Sequence, residues 1–193
     1  MSYTLYGSHT SPFVRRLRLL LSGKDYELVA MNLQDPADQK TLLEISPIRK
    51  IPILKDGDVT VFDSRIIANY LFPKVGHTPL SIDQENTLTL IDGIADSLVN
   101  VLLLKRSGLD DPRNSFIKNQ NFRIKTGLQT LNEQIVKEDF SLNRYPALSL
   151  ASLIAWINFR QLISLDKFSN LNEFVEKAAG TIPGWKETEY QDK

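Results

Sequence analysis

Three short segments carry the residue types that could do chemistry. The first, Ser8-His9-Thr10-Ser11-Pro12-Phe13, sets three hydroxyls and an imidazole just ahead of a helical repeat. Proline suits the first position of a helix, so Ser11 falls at the N-cap, beside backbone N–H groups without intrahelical partners and at the positive end of the helix dipole. Such a turn either caps its own helix or donates to a bound anion, and the segment alone leaves both open. The second, Lys50-Ile51-Pro52-Ile53-Leu54, places proline at the head of an apolar run, where the preceding residue is held extended. A trans bond, the default from the dipeptide, makes this an ordinary strand start. A cis bond would leave the N–H and C=O of Ile51 open to an extended peptide, as at a sheet edge. The third is Asp63-Ser64. Either residue serves as a helix cap, and together they offer a carboxylate for an ammonium and a hydroxyl for a carboxylate, the complement of an amino-acid head group.

The surrounding pattern predicts what positions them. Tyr3 to Tyr6 reads as a buried strand, and Pro12 with Leu17, Leu20 and Leu21 reads as a helix ending near Gly23. Glu27 to Met31 is a second strand, and Pro36 to Ile45 a helix with Leu42, Leu43 and Ile45 inward. Ile51 to Leu54 and Val59 to Phe62 flank an Asp56-Gly57 hairpin turn, and Asp63-Ser64 opens a helix to Leu71. The order is βαβαββα. Pro73 to Pro79 breaks the pattern, and the rest of the chain reads as helical: a capping box at Ser81-Ile82-Asp83-Gln84, a helix from Asp111-Pro112, an apolar one over Ser149 to Leu165, and a short one over Asn170 to Ala179. The expected domains are therefore residues 1–73 and 80–193, joined by a linker over 74–79. Arg15, Arg16 and Arg18 are expected on a solvated helix face, Trp156 and Phe159 in the core, and Trp185 packing the tail onto a domain surface.

Composition narrows the chemistry. The 193 residues carry 23 basic and 23 acidic side chains, so no overall field draws in a nucleic acid or an anionic membrane. The absence of cysteine removes disulfides, thiolate metal sites and any cysteine nucleophile. Two histidines, His9 and His77, are too few for an imidazole-rich metal centre, and no metal is expected. The N-terminus lacks a secretory signal pattern, and a cytoplasmic protein is expected.

Taken together, the three segments and their order resemble the glutathione S-transferase family, in its bacterial, serine-type, zeta-, omega- and beta-like members. Ser11-Pro12-Phe13 followed by Arg16-x-Arg18 is similar to the thiol-site motif, Lys50-Ile51-Pro52 to the cis-proline segment, and Phe62-Asp63-Ser64-Arg65-Ile66-Ile67 to the Glu/Gln-Ser motif, with aspartate one methylene shorter. The resemblance implies an α/β thioredoxin-like N-terminal domain plus an all-α C-terminal helical domain, paired as a homodimer. It implies glutathione as co-substrate, no tightly bound cofactor, and a small electrophile as the other partner. By the same resemblance Ser11 faces the glutathione sulfur, Phe13 lies in the glutathione site, the Ile51 backbone ahead of Pro52 pairs with the cysteinyl unit, Asp63 and Ser64 hold the γ-glutamyl head, and Lys50 assists at a carboxylate. His9, Asn100, Leu103, Leu104 and Ser107 are the expected electrophile contacts. Serine at position 11 cannot form a mixed disulfide, so the implied reaction is conjugation with glutathione as the nucleophile; a non-catalytic binding or assembly module, and a glutathione-dependent peroxidase or dehalogenase, are the alternatives. Ser149-x-x-Ser152, where the family has Ser/Thr-x-x-Asp, implies a weakened capping box.

Overall fold

The computed structural model describes residues 3–137 and 140–191. The chain divides into two compact units, Met1–Pro79 together with Ile182–Lys193, and Leu80–Thr181.

The first unit runs β1 (Tyr3–Gly7), α1 (Pro12–Leu20), β2 (Tyr26–Ala30), α2 (Pro36–Ile45), β3 (Ile53–Asp56), β4 (Val59–Phe62) and α3 (Ser64–Val75). Its sheet has the order β2-β1-β3-β4, with β1 parallel to β2 and antiparallel to β3, and β3 antiparallel to β4. Leu5 of the interior strand β1 sits opposite both Leu28 and Leu54 and is fully buried, with Val14, Leu17, Ile67 and Leu71 among the other buried apolar residues. A second cluster joins Met31, Leu42 and Ile53, with Tyr6, Ile51 and Phe62 packed against it. This is the thioredoxin-like βαβαββα arrangement expected from the sequence. Strand β1 ends close against α1: a Cβ on Gly7 would fall 2.5 Å from Val14 Cγ2.

The second unit is helical: α4 (Ile82–Arg106), α5 (Ser115–Lys137), α6 (Tyr145–Arg160) and α7 (Ser169–Thr181). Both hydrogen bonds of the Ser81–Gln84 capping box form. By length and composition α4 could cross a membrane; within the second unit it packs against α5 and α6. Helix α6 is buried along most of its length, Trp156 included.

Several expectations are corrected. The three arginines of α1 are not solvated: Arg15, Arg16 and Arg18 are 3%, 3% and 7% exposed. Helix α1 intersperses them with Val14, Leu17, Leu19 and Leu20 and keeps no solvent face. Helix α3 runs on through Pro73 to Val75, and left-handed Gly76 ends it, so the linker begins two residues later than expected. The tail from Ile182 packs with the first unit, whereas the sequence placed it in the second. Leu43 of α2 is exposed; only Leu42 on that helix is buried. Helix α5 starts at Ser115, past the Asp111-Pro112 pair, where Asn114 Oδ1 accepts from the Phe116 amide. Helix α6 begins four residues before Ser149, so neither Ser149 nor Ser152 caps it; both hydroxyls donate to the carbonyls of Tyr145 and Leu148 inside the helix.

Candidate functional site

The site begins at the turn between β1 and α1. Ser8 Oγ accepts from the Thr10 amide at 3.2 Å and lies 3.0 Å from Thr10 Oγ1, and the Ser11 amide donates to the Ser8 carbonyl. The turn thus closes on itself through hydroxyls, as serine- and threonine-rich turns do. It delivers Ser11, extended at φ −95°, to the N-cap of α1, where its Oγ accepts from the Val14 amide at 3.3 Å. That bond occupies one lone pair of the half-buried hydroxyl and leaves its hydrogen as a donor. The cap reading and the anion-donor reading are therefore compatible in one side chain.

Two residues beyond Ser11, the Phe13 ring lies 5.1 Å from the Arg16 guanidinium carbon. Arg16 Nη2 donates to Ser64 Oγ at 2.5 Å, so a buried cation on α1 meets the first residue of α3. Asp63, not Ser64, is the N-cap of α3: its Oδ1 accepts from the amides of Arg65 at 2.8 Å and Ile66 at 3.4 Å. Asp63 adopts φ 67° and ψ 132°, a conformation a non-glycine residue holds only under strain, which is characteristic of functional sites. Both capping bonds fall on Oδ1, and among the described residues Oδ2 has no hydrogen-bond partner. Its carboxylate is exposed. Here, then, an accessible anion stands next to a helix N-terminus backed by a buried guanidinium.

The Ile51–Pro52 peptide bond is cis. Pro52 is buried, Ile51 partly so, and Ile51 lies ahead of the residues of β3 that pair with β1 and β4. Lys50 is exposed. Phe13 and Ser64 are joined through Arg16, Ser11 caps the same helix α1, and Lys50, Ile51, Pro52 and Asp63 lie in the same unit. Of the expected electrophile contacts, His9 lies in the first unit, in the β1–α1 turn. Asn100, Leu103 and Leu104 are on the later turns of α4 in the second, and Ser107 is that helix's C-cap. Among the described residues no cluster of three or more ligating side chains could hold a metal ion.

Sequence reasoning missed Arg16. The available signal was that α1 has only apolar and cationic residues and no neutral polar or acidic one, a helix composition with no face suited to water. Arginine rather than lysine at all three positions also fits buried use, since its planar, weakly hydrated fork keeps its charge where a lysine would neutralise.

Residues 5–79 match the family model for the glutathione S-transferase N-terminal domain. That part of the chain is similar to the N-terminal domain of the glutathione S-transferases. The chain is 45% identical over 78 residues to glutathione S-transferase 4 of Zea mays, a match of 39% of this chain and 34% of that protein. The chain thus spans about a third of that relative's length in the match. Over most of its length it is 28% identical, across 170 residues, to the uncharacterized GST-like protein YibF of Escherichia coli, covering 82% of this chain and 83% of that one. Its fold is shared by a glutathione S-transferase from Methylobacillus flagellatus solved with glutathione bound, at a TM-score of 0.85 and 23% identity over 98% of this chain and all of that one.

Proposed function

We propose that this chain binds glutathione and transfers its thiolate to small, largely apolar electrophiles. The observation that carries the reading is the Arg16–Ser64 bond between α1 and α3: the helix that Ser11 caps sends a buried cation to the N-terminus of a second helix, with the strained Asp63 carboxylate beside it. Such a set matches a ligand with a sulfur anion at one end and an amino-acid head group at the other. The glutathione-bound relative of the same fold supports that ligand class.

In the proposed reaction the ligand thiol loses its proton to solvent, and Ser11 Oγ donates to the resulting thiolate while still accepting from Val14. The sulfur lone pair forms a bond to the electrophilic carbon, and the displaced group leaves with its electron pair. A free thiol has a pKa of about 8.5, and lowering it by about two units requires roughly 2.7 kcal/mol of preferential thiolate binding. One charge-assisted hydrogen bond of about 1.5–3 kcal/mol and a helix-terminus contribution of about 0.3–1 kcal/mol are of that size. At the other end Asp63 Oδ2 takes the ammonium and Ser64, backed by Arg16, takes the γ-glutamyl carboxylate. Ile51 offers its backbone to the cysteinyl unit, with Phe13 and Lys50 at the edges.

Calorimetric titration of glutathione near neutral pH, in two buffers of different ionisation enthalpy, tests this directly. The reading expects binding with release of a substantial fraction of a proton. Binding without proton release would leave a glutathione carrier in which Ser11 is only a cap, and absence of binding would overturn the proposal.

A further inference from the structure

The proposed chemistry uses Ser11 and Arg16 of α1 but neither Arg15 nor Arg18, and nothing after Thr181. Yet the tail folds with the first unit, and its contacts there are specific. The Arg15 guanidinium lies against two aromatic rings, with its carbon 4.1 Å from the Trp185 ring centroid and 4.7 Å from that of Tyr190. Its Nη2 donates to the Trp185 carbonyl at 3.2 Å and its Nε to Thr188 Oγ1 at 3.4 Å. Arg18 donates to the carbonyls of Thr188 and Glu187, at 3.4 and 2.6 Å. The tail is shaped for this: the Thr188 hydroxyl donates back to the Gly184 carbonyl at 2.8 Å, and Gly184 takes φ +75° where a Cβ would fall 2.7 Å from Ser22 Oγ. Trp185 and Thr188 are buried.

Two features give these contacts a direction. Arg15 and Arg18, three residues apart, share one face of α1, while Arg16 lies about 100° around the helix and reaches Ser64. The nine-residue helix is thus gripped on two different faces by its own cations. In addition, the Arg15 amide donates to the Ser11 carbonyl at 3.0 Å, so the clasped residue is bonded to the N-cap itself. A buried guanidinium deprived of acceptors must reach water, and α1 can grant that only by turning or shifting. Desolvation already pulls the Arg15 pKa below its ordinary value, partly offset by Tyr190, and burial raises the Tyr190 phenol above its own.

We infer that the tail is a positioning clasp for the Ser11 turn: through Arg15 and Arg18 the residues Trp185, Glu187 and Thr188 fix the rotation of α1 and so hold Ser11 and Arg16 in register for glutathione. The functional half of this inference rests on the reading of Ser11 given above; the structural half does not. Trp185, Thr188, Arg15 and Arg18 are assigned here as positioning residues.

The test uses the full chain carrying Thr188→Val, which keeps the shape and removes the Oγ acceptor, or Trp185→Leu, with Thr188→Ser as the variant that keeps the hydroxyl. Amide hydrogen exchange is followed by mass spectrometry, and glutathione affinity by titration. In Thr188→Val and Trp185→Leu, exchange is expected to rise about tenfold or more in residues 182–191 and in 8–16, with the β3–β4 hairpin unchanged. Affinity for glutathione is expected to fall about 5-fold or more, and Thr188→Ser to behave as the parent protein. A tail that exchanges faster while 8–16 stays protected overturns the clasp, as does a tail whose exchange is unaffected by both substitutions. Equal rises in 8–16 and the β3–β4 hairpin also overturn it, because they report general destabilisation. If the parent protein binds no glutathione, the reading of Ser11 falls, and the exchange pattern still decides whether the tail positions α1.

Discussion

Ser11 separates a structural from a chemical role because it performs the first visibly and is proposed for the second. Its capping bond to the Val14 amide is 3.3 Å, longer than the ordinary N–H···O distance of about 2.9–3.0 Å, and the residue is only half-buried. Ser11→Ala should therefore cost stability in the lower part of the N-cap range, about 0.5–1 kcal/mol in urea unfolding. The chemical loss is larger. Removing a donor worth about 1.5–3 kcal/mol to the thiolate raises the bound thiol pKa by about 1–2 units, and thiolate near neutral pH falls by about 10- to 100-fold. The rate of conjugation to a chromogenic electrophile, measured across pH, should keep its shape and move to higher pH by that amount, so the deficit narrows in alkaline buffer. Ser11→Asp sharpens the test, since aspartate caps a helix as well as serine does but sets a negative charge against the sulfur. Its stability should match the parent protein while its turnover falls at least as far as that of Ser11→Ala. Near-parental turnover in Ser11→Asp, or a deficit in Ser11→Ala with no displacement of the pH profile, would refute the reasoning.

Other consequences are as specific. Ser64→Ala removes the hydroxyl that accepts from Arg16 Nη2, and because both residues are buried the loss should cost about 1–3 kcal/mol of stability, with weaker glutathione binding in the same titration. Gly7→Ala drives a methyl into Val14 and should cost about 1–3 kcal/mol by overpacking, part of which Val14→Ala in the same chain restores; simple additivity in that double-mutant cycle would show the clash to be unreal. The Asp56 carboxyl is held below its ordinary pKa by hydrogen bonds from Tyr70 and Lys74. Its folded pKa being depressed, its contribution is complete above the ordinary carboxylate pKa of about 4 and disappears as pH falls through the lowered value. Asp56→Asn should accordingly lower the urea midpoint near neutral pH and converge on the parent protein in acid; a gap independent of pH would contradict the ion pair.

Much of this molecule is legible without coordinates. Strand and helix order in the first unit follows from short apolar runs, proline and glycine punctuation and the Asp-Gly turn, because these are local preferences that the tertiary fold does not oppose. Ser11 behind Pro12 and Asp63 ahead of a helical run are readable as caps for the same reason, and the capping box at Ser81 forms as written. Local signals fail where the deciding partner is distant. Nothing near Arg15, Arg16 or Arg18 in the sequence identifies Ser64, Thr188 or Trp185 as what they meet, so three charges in one turn read as a wet surface. Serines at 149 and 152 resemble a helix start, yet burial of the segment from Tyr145 carries the helix past them. The cis Ile51–Pro52 bond and the positive φ of Asp63 likewise belong to the folded chain. Residue type and spacing determined which chemistry this protein can attempt: a hydroxyl without a cysteine, a carboxylate beside a serine, and helices to point them. Only the tertiary structure decided that α1 is gripped by α3 and by the tail at once, because the acceptors for its buried guanidiniums come from segments about 50 and 170 residues away, beyond the reach of any local periodicity.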